Sequence, residues 1–175
     1  MKRSRDEFNQ LRERGRRSVF HKKEYVHALR DIVIQHENDS RLAANAEAFS
    51  AAVTSLGAGI EGLLLLRCLR SPRSVASKLP KRIRPRRQDN ADKWTFETLI
   101  ETCDAAGWLR PIGTTIAQYN TASMAHVLRN MRNYIHPGRH ARERPWSVTD
   151  EQEYRDANAI YVLLLSTLGE SRERN

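Results

Sequence analysis

The side chains best equipped for chemistry lie in one short stretch, Val127 to Gly138, which carries Arg129, Asn130, Arg132, Asn133 and His136. An imidazole changes charge between about pH 5 and 8, so His136 is suited to giving or taking a proton. Guanidinium groups hold a fixed charge and a fork of donors that matches phosphate. Asn130 and Asn133 add amide donors and acceptors. At roughly 100° per residue the stretch divides into two faces. Met124, Val127, Leu128, Met131, Tyr134 and Ile135 form an apolar side, and Arg129, Arg132, Asn133 and His136 gather opposite, with Asn130 at the edge. Arg132 and His136 stand at i and i+4 and are neighbours on such a helix, with Arg129 one turn further back. This constellation is shaped to hold one anion. Backbone before a proline avoids the α region, so His136 is expected in the last turn, with Gly138 letting the chain turn away. A solvated helix face followed by a His-Pro-Gly stop signal uses the same residue types.

The elements that must position this stretch read as helices. Residues 42–70 predict one long helix with Leu42, Phe49, Val53, Leu56, Ile60, Leu63 and Leu64 on one side. Glu61 is the one acid within its apolar surround; a buried carboxylate there needs a partner, for which an arginine of the motif helix is one choice and an exposed flank the other. A shorter amphipathic helix runs from about Thr95 to Ala106, ending at Gly107, with Phe96, Leu99, Ile100 and Cys103 inward. The last helix begins near Ser147 or Thr149 and buries Ala157, Ile160, Tyr161, Leu164, Leu165 and Leu168, and Gly169 can close it. The six prolines fall outside these helices, and period-2 alternation of β-branched residues is scarce. The expected class is therefore all-α, a helical bundle of about four to five main helices. Residues 1–24 are a basic N-terminal arm able to form a helix, 25–169 a single domain, and 170–175 a tail. Within the domain, residues 71–90 form a mostly irregular basic loop, since Pro72, Pro80 and Pro85 interrupt backbone hydrogen bonding.

A net charge of +9 favours a polyanionic partner. The cations are concentrated: Lys81, Arg82, Arg84, Arg86 and Arg87 lie in the loop, with more in the arm, and Arg139, Arg142 and Arg144 follow the motif. Such groups supply salt-sensitive, sequence-independent contacts to phosphate. Cys68 and Cys103 sit inside expected helices and read as buried thiols. No His/Cys cluster has zinc spacing, so no metal or other cofactor is expected. The run Leu63 to Leu66 is flanked by charge and too short to cross a membrane. The Arg-rich start lacks the apolar core of a secretory signal, which leaves a cytoplasmic protein as the expectation.

Residues Arg129 to His136 resemble the signature of the HEPN superfamily of helical nucleotide-binding domains, an Arg and a polar residue followed within four to six residues by a His. Arg129-Asn130 with His136 fits the long form of this pattern, whereas Arg132 to His136 is too short, so the resemblance implies Arg129 as the principal arginine and Arg132 as auxiliary. The phrase Arg-Asn-x-x-His-Pro-Gly-Arg is also similar to that of poorly characterised bacterial helical proteins near this superfamily. The similarity extends loosely over Tyr25 to Leu168. It implies a metal-independent endoribonuclease of a bacterial toxin-antitoxin or antiphage system, leaving a 2′,3′-cyclic phosphate on RNA. Arg129, Asn130, Arg132, Asn133 and His136 would carry the chemistry; Lys81, Arg82, Arg84, Arg86, Arg87 and Arg139 would hold the nucleic acid. A homodimer with the site at or near its interface is implied, and an antitoxin or defence-complex partner could restrain it. The alternative is a non-catalytic RNA-binding or assembly module with the same basic surface.

Overall fold

The computed structural model describes residues 22–82, 91–113 and 118–170. Among these, the chain forms α1 (Lys22–Asn45), α2 (Phe49–Arg70), α3 (Pro72–Ala76), a 3₁₀ turn (Ala91–Lys93) and α4 (Phe96–Ala105). After a hairpin of β1 (Ile112–Gly113) and β2 (Gln118–Tyr119) come α5 (Thr121–Asn133), α6 (Pro137–Glu143) and α7 (Glu151–Glu170). The fold is all-α apart from that hairpin, which pairs Ile112 with Tyr119 and Gly113 with Gln118 in antiparallel register. The long helices α1, α2, α4, α5 and α7 make the bundle.

Helix α2 is its hub, packed against α1, α4, α5 and α7. Three glycines explain how one helix can seat so many neighbours. A methyl group on Gly57 would stand 2.7 Å from Arg132 Cβ of α5, one on Gly59 3.1 Å from the Tyr161 ring of α7, and one on Gly62 2.6 Å from a Val33 methyl of α1. Each missing side chain is thus the footprint of a different helix. Around them Val53, Leu56, Ile60 and Leu64 of α2 pack with Leu99, Ile100 and Cys103 of α4, Ala125 and Leu128 of α5, and Ala157, Tyr161 and Leu164 of α7. The Cys68 and Cys103 sulfurs meet in this core as free thiols 3.7 Å apart. Their mutual hydrogen bond, followed by burial, pushes the Cys103 thiol above its ordinary range.

Several boundaries differ from the sequence expectation. Residues 42–70 are not one helix: α1 ends at Asn45, and Ala48 N–H reaches Ala43 O while Glu47 N–H reaches Ala44 O, a helix-ending loop with Glu47 at φ 59°. Leu42 therefore closes α1 and is 63% exposed instead of facing the core. The turn lacks the glycine that normally marks a left-handed cap, so nothing in the local sequence announced it. Pro72 starts α3 as its first residue and does not merely interrupt structure; of the expected basic loop, residues 83–90 lie outside the described residues. Helix α7 is capped by Asp150, whose carboxylate accepts from Glu153 N–H at 2.9 Å, one residue beyond Thr149, and it runs through Gly169. Helix α4 has the expected frame, with the Thr95 hydroxyl accepting from Thr98 N–H. By length and composition α2 is apolar enough to cross a membrane, contrary to the expectation that no segment is; here it is the hub of the bundle.

Candidate functional site

Helix α5 starts at an Asn120 cap, whose side chain accepts from Ser123 N–H at 2.8 Å, and its first turns bury Thr121, Ala122 and Ala125. Further along, the helix comes close to α2 where Arg132 Cβ meets Gly57. That approach fixes the rotation of the helix, and the expected assignment of faces holds only in part. Val127 and Ile135, expected inward, are each 48% exposed. Leu128 is fully buried and Met131 packs partly against the core. Arg129 and Arg132 follow Ala125 by four and seven residues and so continue its inward column. An arginine can occupy such a position because its stem is apolar and its head can reach a carboxylate or solvent.

The two arginines have different fates. Arg132 lays its stem on Gly57 and pairs with Glu61 of α2 at 3.1 Å, which resolves where Glu61 points. It borders a hollow of about 290 Å³ together with Glu61, His36 and Asp92. Arg129 instead pairs with Glu97 in the first turn of α4 at 3.3 Å and donates to Asn130 Oδ1 at 3.4 Å. Arg139 of α6 donates to the same Asn130 oxygen at 3.3 Å and to both Glu143 oxygens. Asn130 thereby ties two guanidinium groups from different helices to one point.

His136 does not end the motif helix. Helix α5 stops at Asn133, whose carbonyl accepts from His136 N–H at 3.2 Å, and His136 is the N-cap residue of α6, with Pro137 in the first helical position. Proline suits that position because it needs no amide hydrogen there, so the residues read as a stop signal start a new helix. Its ring is exposed, and among the described residues it forms no hydrogen bond or ion pair. Tyr134 forms a shelf beneath the turn, with the Arg139 and Arg144 guanidinium groups 5.7 and 5.1 Å from its ring centre; it faces these cations and not the core. Arg144 is further fixed by an ion pair to Glu153 of α7.

Trp146 was not singled out by sequence. It is 86% exposed, the most open large apolar side chain among the described residues. His140 Nε2 donates to the Ser147 carbonyl at 2.7 Å, so the segment bearing this indole is fastened to α6. Its placement between Arg144 and Ser147, after a run of arginines, was the available signal. Among the other expected phosphate ligands, Arg82 is paired to Glu101 at 2.7 Å and Lys81 is exposed in a turn. Arg84, Arg86 and Arg87 lie outside the described residues. Among the described residues, no three His, Cys, Asp or Glu side chains gather to hold a metal ion.

No protein-family model, curated protein or solved structure matches this chain. Its function must be argued from the chemistry of this surface.

Proposed function

We propose that the chain is a metal-independent endoribonuclease of the HEPN type, acting from the surface formed by Arg129, Asn130, His136 and Arg139. The observation that carries this is the convergence of Arg129 and Arg139 on Asn130 Oδ1, with an exposed His136 capping the same short helix that bears Arg139. In the reaction, the 2′-oxygen of RNA forms a bond to the adjacent phosphorus and the bond to the 5′-oxygen breaks. His136 takes the 2′-hydroxyl proton, and the departing 5′-oxygen takes one from water or from His136 of a second copy across a two-fold axis. Arg129 and Arg139 balance the charge that builds on the phosphoryl oxygens. Trp146 offers an unpaired base a stacking surface. Arg132, its stem seated on Gly57 and its head paired with Glu61, is the auxiliary arginine and positions the helix.

A non-catalytic RNA-binding or assembly role is favoured by one specific feature: Arg129 and Arg139 already carry carboxylate partners, Glu97 and Glu143. The two roles part in one assay. Purified protein is incubated with single-stranded RNA and with DNA of the same sequence in a chelator. Cleavage of RNA alone, with cyclic phosphate ends, abolished in His136→Ala and reduced at least ten-fold in Arg129→Met, supports the enzyme. RNA binding without turnover, or turnover indifferent to His136→Ala, refutes it in favour of the binding module.

A further inference from the structure

We propose that the cavity between α1, α2 and α7 is a binding site for a small amphipathic anion, a molecule with an apolar body of about ten carbons and a carboxylate or phosphomonoester head. This site shares no residue with the surface around His136 and does not depend on its chemistry.

The cavity has a volume of about 310 Å³, at the lower end of the range for small-molecule pockets. A water molecule, close to a methylene in size, takes about 30 Å³ of liquid volume, so the space holds about ten such groups. Its walls are apolar, from Val33 and Ile34 of α1, Leu63 and Leu66 of α2, and Leu165 and Leu168 of α7.

Charge is unevenly distributed along it. Helices α1 and α2 run antiparallel, since Val33 covers Gly62 and His36 lies against Gly59. Arg30 on α1 therefore stands level with the end of α2 that carries Arg67 and Arg70, and all three border the cavity. Glu37 lies seven residues further along α1, about 10 Å away at 1.5 Å per residue, where it accepts a hydrogen bond from the Tyr161 hydroxyl at 3.3 Å. The arginine end attracts an anionic head and the Glu37 end repels it, so a bound amphiphile has one favoured direction.

Arg67 is anchored at this end of the cavity. Its guanidinium is stacked over Trp108, 4.6 Å from the ring centre, which holds the charged head in place. Its Nε is buried and meets no hydrogen-bond acceptor among the described residues. That nitrogen lies too deep for a ligand in the cavity to touch, so an oxyanion at this end would be held by the positive charge gathered there on Arg30, Arg67 and Arg70.

The test uses the full chain and four probes, decanoate, decyl phosphate, decanol and decyltrimethylammonium, each titrated calorimetrically below the concentration at which it self-associates. Saturable one-to-one binding of decanoate or decyl phosphate is expected, at least ten-fold tighter than that of the alcohol or the cation. The ratio between the two anions tells which head the site was built for. Arg67→Met, which keeps the stem over Trp108, and Arg30→Gln, an exposed change with no bearing on the core, should each weaken the anion at least five-fold. His136→Ala should bind it like the wild type. Failure of both anions to bind the folded wild type, equal binding of decanol, or affinity unaltered in both arginine variants overturns the proposal. None of these outcomes bears on RNA cleavage.

Discussion

Substituting Arg132 separates the packing of its stem from the charge of its head. In Arg132→Ala, Cγ and Cδ are lost; they lie 3.0 and 3.2 Å from the point where a Gly57 side chain would begin, so they cover the backbone of α2. Two such methylenes contribute about 0.8 kcal/mol each. The ion pair to Glu61, its side chains about a third exposed, contributes no more than about 1 kcal/mol. An opposing effect comes from Arg132 Nε, which is buried without an acceptor; removing it relieves roughly 1 kcal/mol. Arg132→Ala should therefore lower stability by about 1.5 kcal/mol. Arg132→Met keeps the stem and loses the ion pair together with the orphaned donor, so it should fall within about 0.5 kcal/mol of the wild type. Equilibrium urea unfolding followed by far-ultraviolet circular dichroism measures both, with the slope expected to stay unchanged and only the midpoint to move. Equal losses in the two variants would show that the charge dominates and refute the packing account. Loss of RNA handling in a stably folded Arg132→Met would return Arg132 to the chemistry.

Gly62→Ala should destabilise the wild type by about 1 kcal/mol, because overpacking against Val33 outweighs the helix propensity gained. Valine has one strongly preferred rotamer in a helix and cannot step aside, so in a Val33→Ala background the same change should become stabilising, and a double-mutant cycle in urea that showed no such reversal would refute the contact. Tyr161 gives a pH signature: burial first, then the Glu37 carboxylate and its hydrogen bond, hold the hydroxyl above its ordinary value of 10.0. The folded state then keeps its proton where the unfolded chain releases it, so this contribution is fully present below pH 10 and declines above it, by at most about 1.4 kcal/mol per pH unit. Tyr161→Phe should flatten that alkaline decline, and thermal or urea stability measured across this range checks it.

What the sequence by itself determined is local. The cap at Thr95, the inward stripe from Phe96 to Cys103 and the apolar stripe of α7 from Ala157 to Leu168 each follow from neighbours within two turns, and together they fix an all-α bundle. The grouping of Arg129, Asn130 and His136 in one stretch was equally visible. Which way that stretch faces was not. The pattern of its apolar residues pointed one way, but the burial of Thr121, Ala122 and Ala125 and the seating of Arg132 on Gly57 turned α5 so that its arginines reach carboxylates on α4 and α2. The turn at Glu47 that follows α1, the approach of Arg139 to Asn130 and the meeting of Cys68 with Cys103 were likewise decided in three dimensions. A hydrophobic pattern shows which residues gain by leaving water, whereas the rotation of a helix and the partners of its charges depend on the shape of a surface contributed by distant parts of the chain.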